Sequence, residues 1–210
     1  LVKRIGDTVR PGDVVLFRGA GDISRGARQV AGQLRNDMSA NNNERQAVRL
    51  RERLTTESSV KVNEPLAKKT TMRVGGMADI YVEPATEADL AEVLRFCQEE
   101  ELPIMPLGKG SNLLIRDGGV RGVVVSFNHP NHFAIKVEGM ELRCGAGSRL
   151  KDVAFAARAN GIAGLEFLEG IPGCVGGGLR MNAGAMGGEI FQQVESVRFM
   201  DRQGQVHELR

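Results

Sequence analysis

Gly170-Ile171-Pro172-Gly173-Cys174-Val175-Gly176-Gly177-Gly178, followed by Met181-Asn182-Ala183-Gly184-Ala185-Met186-Gly187-Gly188, packs its glycines into under twenty residues. Ordering a glycine costs more backbone entropy than ordering any other residue, so a plain connection would not carry so many. A backbone that closely follows a ligand explains them. A flexible glycine loop is the alternative, but Ile171, Pro172, Val175, Leu179 and Met181 are the apolar or rigid residues of a packed segment.

A second cluster lies upstream: Gly108-Lys109-Gly110-Ser111-Asn112-Leu113-Leu114, directly after a predicted strand over Pro103 to Leu107. Residues without a Cβ let the backbone approach a ligand, and the N–H groups of such a turn form a nest for an anion such as a pyrophosphate. Ser111 and Asn112 add short hydrogen-bonding side chains. The spacing is not that of a P-loop. Taken alone, this loop is equally well read as a structural turn.

Around these clusters the texture from residue 61 onward alternates strands and helices. Asp79 to Glu83 reads as a strand, and Thr86 as the cap of a helix whose Leu90, Val93, Leu94 and Cys97 share one face. Pro103 to Leu107 and Gly122 to Ser126 read as further strands, which makes a parallel crossover unit. Phe133 to Val137 and Met140 to Cys144 read as a hairpin, and Leu150, Val153, Ala154 and Ala157 as an amphipathic helix stopped at Gly161. Val194 to Met200 and Gln205 to Leu209, joined through residues 201 to 204, read as a last hairpin.

Three segments in this order resemble the signature of the UDP-N-acetylenolpyruvoylglucosamine reductases: Thr71-Met72-Arg73-Val74-Gly75-Gly76-Met77-Ala78-Asp79, then Gly108 to Leu114, then Gly164-Leu165-Glu166-Phe167-Leu168-Glu169 running into Gly170 to Gly188. The resemblance implies an α+β architecture of α/β subdomains, the vanillyl-alcohol-oxidase or PCMH-like FAD fold, with non-covalent FAD between two subdomains at about 61–130 and 131–210. It implies NADPH as reductant and an enolpyruvyl UDP-sugar as substrate, reduced to UDP-N-acetylmuramate for peptidoglycan. It assigns Gly108, Lys109, Gly110, Ser111, Asn112 and Leu113 to the pyrophosphate loop, and Ile171, Pro172, Gly173, Val175, Gly176, Gly177, Asn182 and Gly184 to the lining of the cofactor. Met186 departs from it, because the family commonly has tyrosine there. The family's proton-donating serine, glutamate and arginine have no counterpart before Arg210, so no catalytic residue and no substrate domain is expected in this chain. Another FAD-linked oxidase or dehydrogenase of the same fold, and a non-catalytic binding fragment, are the rival readings.

The first 35 residues differ. Pro11-Gly12-Asp13-Val14-Val15-Leu16-Phe17 and Gly19-Ala20-Gly21-Asp22-Ile23 resemble the C-terminal end of UDP-N-acetylmuramate-L-alanine ligases, implying the strand and helix of a ligase remnant covalently fused to the reductase. Ser24 stands where a dinucleotide fingerprint needs its third glycine. Residues 36 to 60, with Asn41-Asn42-Asn43 and the charged run Glu44 to Arg53, read as a polar linker. A solvated helix with Ala47, Leu50 and Leu54 on one side is the alternative. An opening on Leu1 fits a piece of a longer polypeptide.

Composition narrows the class. A net charge of +2 with interleaved signs gives no reason to expect nucleic acid, and 41% hydrophobic residues suffice for a core. No apolar run approaches the roughly 20 residues that cross a bilayer. Cys97, Cys144 and Cys174 are widely spaced and odd in number, which fits a reducing, cytoplasmic setting and neither zinc nor a disulfide framework. His129 and His132 read as loop residues, with no metal expected. Cys174 reads as a packing residue, and Arg73 and Arg180 as contacts to phosphate or substrate, or as surface charges.

Overall fold

A computed structural model describes residues 42 to 210. The ligase-like remnant expected over residues 1 to 35 lies outside the described residues. The chain divides into two compact units, 1–46 and 47–210, and the second carries the features developed below.

Its centre is a four-stranded sheet in the order β1-β2-β4-β3. Strand β1 (Ser59–Pro65) runs antiparallel to β2 (Met77–Glu83), whereas β4 (Val120–Ser126) runs parallel to both β2 and β3 (Ile104–Leu107). Between β2 and β3 comes helix α2 (Glu87–Glu99), so the predicted crossover is present. It does not lay β3 beside β2, because β4 returns between them. The run Val123-Val124-Val125 is buried on both faces, as a central parallel strand requires.

Thr86 caps α2 as its sequence predicts. Its hydroxyl accepts from the Asp89 N–H at 3.0 Å, and the Asp89 carboxylate accepts from the Thr86 N–H at 3.2 Å, closing a capping box. The buried face of α2 holds Ala91, Val93, Phe96 and Cys97; Leu90 only skirts it, and Phe96, absent from the predicted set, fills its centre. Phe96 packs with Val60, Ile80, Val82, Val123 and Val125 on one side of the sheet. Leu66, Ala78, Tyr81, Leu107, Ile115 and Val124 form a second core on the other. Burial pushes the Cys97 thiol up to about 12, so it is an inert packing group.

The linker expected over 36–60 is corrected where it is described. Residues 42–51 are helical (α1), and Ala47 and Leu50 are fully buried in the first core. The charges of this stretch are not merely solvated. Arg49 and Arg53 pair with Glu100 and Glu99, each at 2.7 Å, and both guanidinium groups lie over the Phe96 ring. Arg51 donates to the Val60 carbonyl at 3.0 Å, which fastens the helix to β1. Two apolar residues three apart inside a charged run give a weak periodic signal, and only the facing core reveals its use.

A third core gathers residues 135 to 194. Strands β5 (Ile135–Glu138) and β6 (Glu141–Cys144) pair as a hairpin, and α3 (Leu150–Ala159) buries Leu150, Val153, Ala154 and Ala157, the four residues its periodicity predicts. The glycine-rich segment holds a short helix, α4 (Val175–Met181), which the sequence reading missed. Strands β7 (Val197–Met200) and β8 (Val206–Leu209) form the last hairpin. Gly204 in its turn packs against Ala91, and Arg198 pairs with Glu87, so this hairpin sits on α2. None of the described helices is long and apolar enough to cross a membrane.

Candidate functional site

The fold brings the two glycine clusters together across some 60 residues of sequence. The Ser111 hydroxyl donates to the Pro172 carbonyl at 2.7 Å, and Gly108 lies so close to Cys174 that a Cβ on it would stand 2.5 Å from Sγ. β3 is an edge strand, so the loop that leaves it has one side unpaired. None of the described residues accepts a hydrogen bond from the N–H groups of Gly108, Lys109, Gly110, Ser111 or Asn112. A row of such donors beside glycine-rich backbone makes this loop a candidate anion nest.

The glycines divide by what surrounds them. A Cβ on Gly110 would meet the Lys69 carbonyl oxygen at 2.5 Å and Thr70 Cα at 2.9 Å, with φ at +61°. Of the two readings of this loop, the structural turn accounts for the smallness of Gly108 and Gly110, because the protein itself occupies that space. The glycine pair of the first signature is structural for the same reason. A Cβ on Gly76 would lie 2.0 Å from the Asp117 carbonyl oxygen, where the loop after Asn112 closes on the start of β2. Gly177 is different. A Cβ on it would meet nothing nearer than 3.7 Å, so no protein neighbour demands glycine there, whereas Gly173, open to 3.5 Å, is held at φ +157°, which favours glycine by itself.

Other expected residues have duties of their own. Lys109 Nζ donates to Asn128 Oδ1 at 2.6 Å and lies over the Phe133 ring. Asn112 and Leu113 are exposed beside the nest. Ile171 and Val175 lean on the third core, and the Val175 and Gly176 N–H groups donate to the Ser148 and Ala146 carbonyls at 2.9 Å each. Asn182 ends α4 in the left-handed conformation, φ +44°. Its amide donates to Glu189 and accepts from the Phe191 N–H, so it acts as a helix cap. Gly184 pairs with Glu189 in a two-residue ladder. Pro172 contributes its carbonyl to Ser111. Met186 is almost wholly exposed.

Beside the nest opens a cleft of about 380 Å³ that the sequence reading did not anticipate. Buried Tyr81, Leu107 and Ser126 contribute to its wall, together with Thr70, Thr71, Gly108 and Asn128, and it is rimmed by Lys68, Lys69, Arg73 and Lys109. Lys69 pairs with Glu64 at 3.2 Å and lies over the Tyr81 ring. Burial pushes the Tyr81 phenol up, and its hydroxyl donates to Glu83 at 2.9 Å. The signal for this cleft is Lys68-Lys69 just before the first signature, readable only once the 3-10 turn Leu66–Lys69 places it against β3. His132 bonds the Pro84 carbonyl through Nε2, and His129 accepts from the Asn131 N–H, so both rings serve the loop after β4. No group of three metal-ligating side chains occurs among the described residues.

A mixed sheet whose edge loop has N–H groups unpaired among the described residues and is hydrogen-bonded to a second glycine-rich segment defines a class. Residues 78 to 210 match the family model described as "FAD binding domain", and the chain belongs to that family. It is 42% identical over 156 residues to UDP-N-acetylenolpyruvoylglucosamine reductase of Clostridioides difficile, covering 74% of this chain and 51% of that protein. Its structure is similar to that of UDP-N-acetylenolpyruvylglucosamine reductase from Thermus caldophilus, with TM-score 0.58, 33% identity, and coverage of 72% of this chain and 52% of that one. p-Cresol methylhydroxylase shares the fold at 16% identity and TM-score 0.55, over 79% of this chain and 35% of its own. The expected α+β architecture of the PCMH-like FAD fold is thus the one present. The chain spans about half the length of the curated relatives it matches.

Proposed function

We propose that this chain is the flavin-binding part of a UDP-N-acetylenolpyruvoylglucosamine reductase, acting with NADPH on an enolpyruvyl UDP-sugar in peptidoglycan synthesis. The observation that carries this reading is the Ser111 to Pro172 bond, which joins the nest at Gly108 to Asn112 to the Gly173 to Gly177 backbone. The N–H groups of the nest would bind the pyrophosphate of FAD, and Gly173 and Gly177 would let the chain run close against the cofactor. When bound, the isoalloxazine supplies hydride transfer. The unpaired state of Cys97, Cys144 and Cys174 supports a reducing, cytoplasmic setting. The resemblance of Pro11 to Phe17 and Gly19 to Ile23 supports a fused ligase preceding this domain.

The purified protein is expected to be yellow and to release intact FAD on denaturation, because no histidine is among the residues assigned to the cofactor and Cys174, which touches Gly108, is buried as a packing group. A colourless protein that takes up no FAD would overturn the reading, and flavin remaining on the precipitated chain would overturn the non-covalent assignment. Gly177→Ala separates ligand from scaffold. It should stabilise α4 by about 0.5 to 1 kcal/mol, as alanine does in place of a helical glycine. FAD should nevertheless bind roughly tenfold more weakly, a change of about 1.4 kcal/mol. Unchanged FAD affinity, measured by flavin fluorescence, would remove Gly177 from the site.

A further inference from the structure

Resting on that reading, we infer that the Lys68 and Arg73 cleft binds a phosphate group of a second, dissociable nucleotide. FAD carries only its diphosphate, and the nest already offers five N–H donors to it. The neighbouring cleft adds four cationic side chains, and no carboxylate lines it. Two of the four have partners: Lys69 is held by Glu64, and Lys109 by Asn128. The side chains of Lys68 and Arg73 bond to none of the described residues. Both also border an adjoining hollow with Ala67 and Thr70, so they form the ridge between two cavities.

The backbone holds this ridge in an unusual form. Arg73 has φ +55°, a left-handed conformation that is unfavourable for a non-glycine residue. It is fixed by the Arg73 N–H donating to the Thr70 carbonyl and by the buried Thr70 hydroxyl donating to the Val74 carbonyl, each at 3.2 Å. A guanidinium and an ammonium without counterions at the mouth of a cavity are suited to a phosphate, which takes two donors at once. Phosphate is common to the UDP-sugar and to the 2′-phosphate of NADPH, and the two sources are separable by experiment.

The flavin-loaded chain is titrated with UDP and, separately, with 2′,5′-ADP, followed by calorimetry at low salt. Arg73→Gly removes the guanidinium and suits the left-handed backbone, so the fold is retained, and Lys68→Ala removes the ammonium. Each should weaken the better probe roughly tenfold with FAD content unchanged, and Arg73→Lys should stay within about threefold of the parent. Tighter binding of UDP assigns the phosphate to the UDP-sugar, and tighter binding of 2′,5′-ADP assigns it to the nicotinamide nucleotide. Parent-like affinity in both variants, or absence of millimolar binding by the parent, overturns the inference. So does loss of FAD from both variants, because the two cations would then belong to the flavin diphosphate. A chain without flavin sinks the functional reading instead, and the same titrations on the colourless protein then judge the cleft by themselves.

Discussion

Gly110→Val is expected to destabilise the protein by more than about 3 kcal/mol, with collapse of the loop that carries the nest. Two costs add. A β-branched residue held at φ +61° pays about 1 to 2 kcal/mol. Its Cβ would also stand 2.5 Å from the Lys69 carbonyl oxygen, far inside contact distance, so the backbone of one segment must move. That movement breaks the bond at 3.1 Å from the Thr71 N–H to the Gly110 carbonyl, worth about 1 kcal/mol. Urea denaturation measures the total, and a parent-like midpoint would show that the 69–71 segment does not lie against Gly110. Flavin lost from this variant follows from loss of the loop, so it carries no information about the pyrophosphate. Gly177→Ala supplies that information because its Cβ meets no protein atom closely.

Asp89→Ala is expected to cost about 3 to 4 kcal/mol, the largest effect foreseen for a residue remote from the glycine clusters. The buried carboxylate accepts from the Thr55 N–H and hydroxyl, both at 2.8 Å, and from the Thr86 N–H and hydroxyl at 3.2 and 2.7 Å. It therefore caps α2 and anchors the turn between α1 and β1 at once. Alanine leaves two backbone donors without acceptors and ends the capping box. Burial pushes the Asp89 carboxyl up, but hydrogen bonds from Thr55, Thr86 and Ser58 outweigh it and hold the group below the ordinary carboxylate range. A lowered folded pKa gives stability that is complete above the unfolded value of about 3.9 and disappears as pH falls through the folded one. The parent should thus lose its advantage over Asp89→Asn between about pH 4 and the lower folded value. Urea midpoints at pH 7 and pH 3 test this, and a gap that does not narrow would show that ionisation of Asp89 adds nothing.

Much of the fold is legible from local chemistry. The valine run of β4, the Thr86 cap, the four buried residues of α3 and the two hairpins are each decided by side chains a few positions apart, because strand alternation, capping and helical periodicity act over one or two turns of chain. The errors have a common origin. Ala47 and Leu50 mark only the alternative, solvated helix in a charged run until Phe96 and Val60 pack with them, and α4 is hidden because its glycines disfavour a helix that tertiary packing imposes.

At the site the division is similar. The sequence by itself determined where glycine-rich backbone gathers, in residues 108–114 and 170–188, since residue type dictates where a backbone is free to approach or to donate. Only the tertiary structure decided which glycine serves what. Gly76, Gly108 and Gly110 are filled by the chain's own atoms, Gly173 and Gly177 are left open, and Asn182 is spent as a cap. Lys68 and Arg73 become a cationic ridge only through the turn that sets them beside β3. A Cβ clash or an unpaired charge depends on neighbours distant in sequence, and those are fixed when the sheet, the edge loop and the third core pack together.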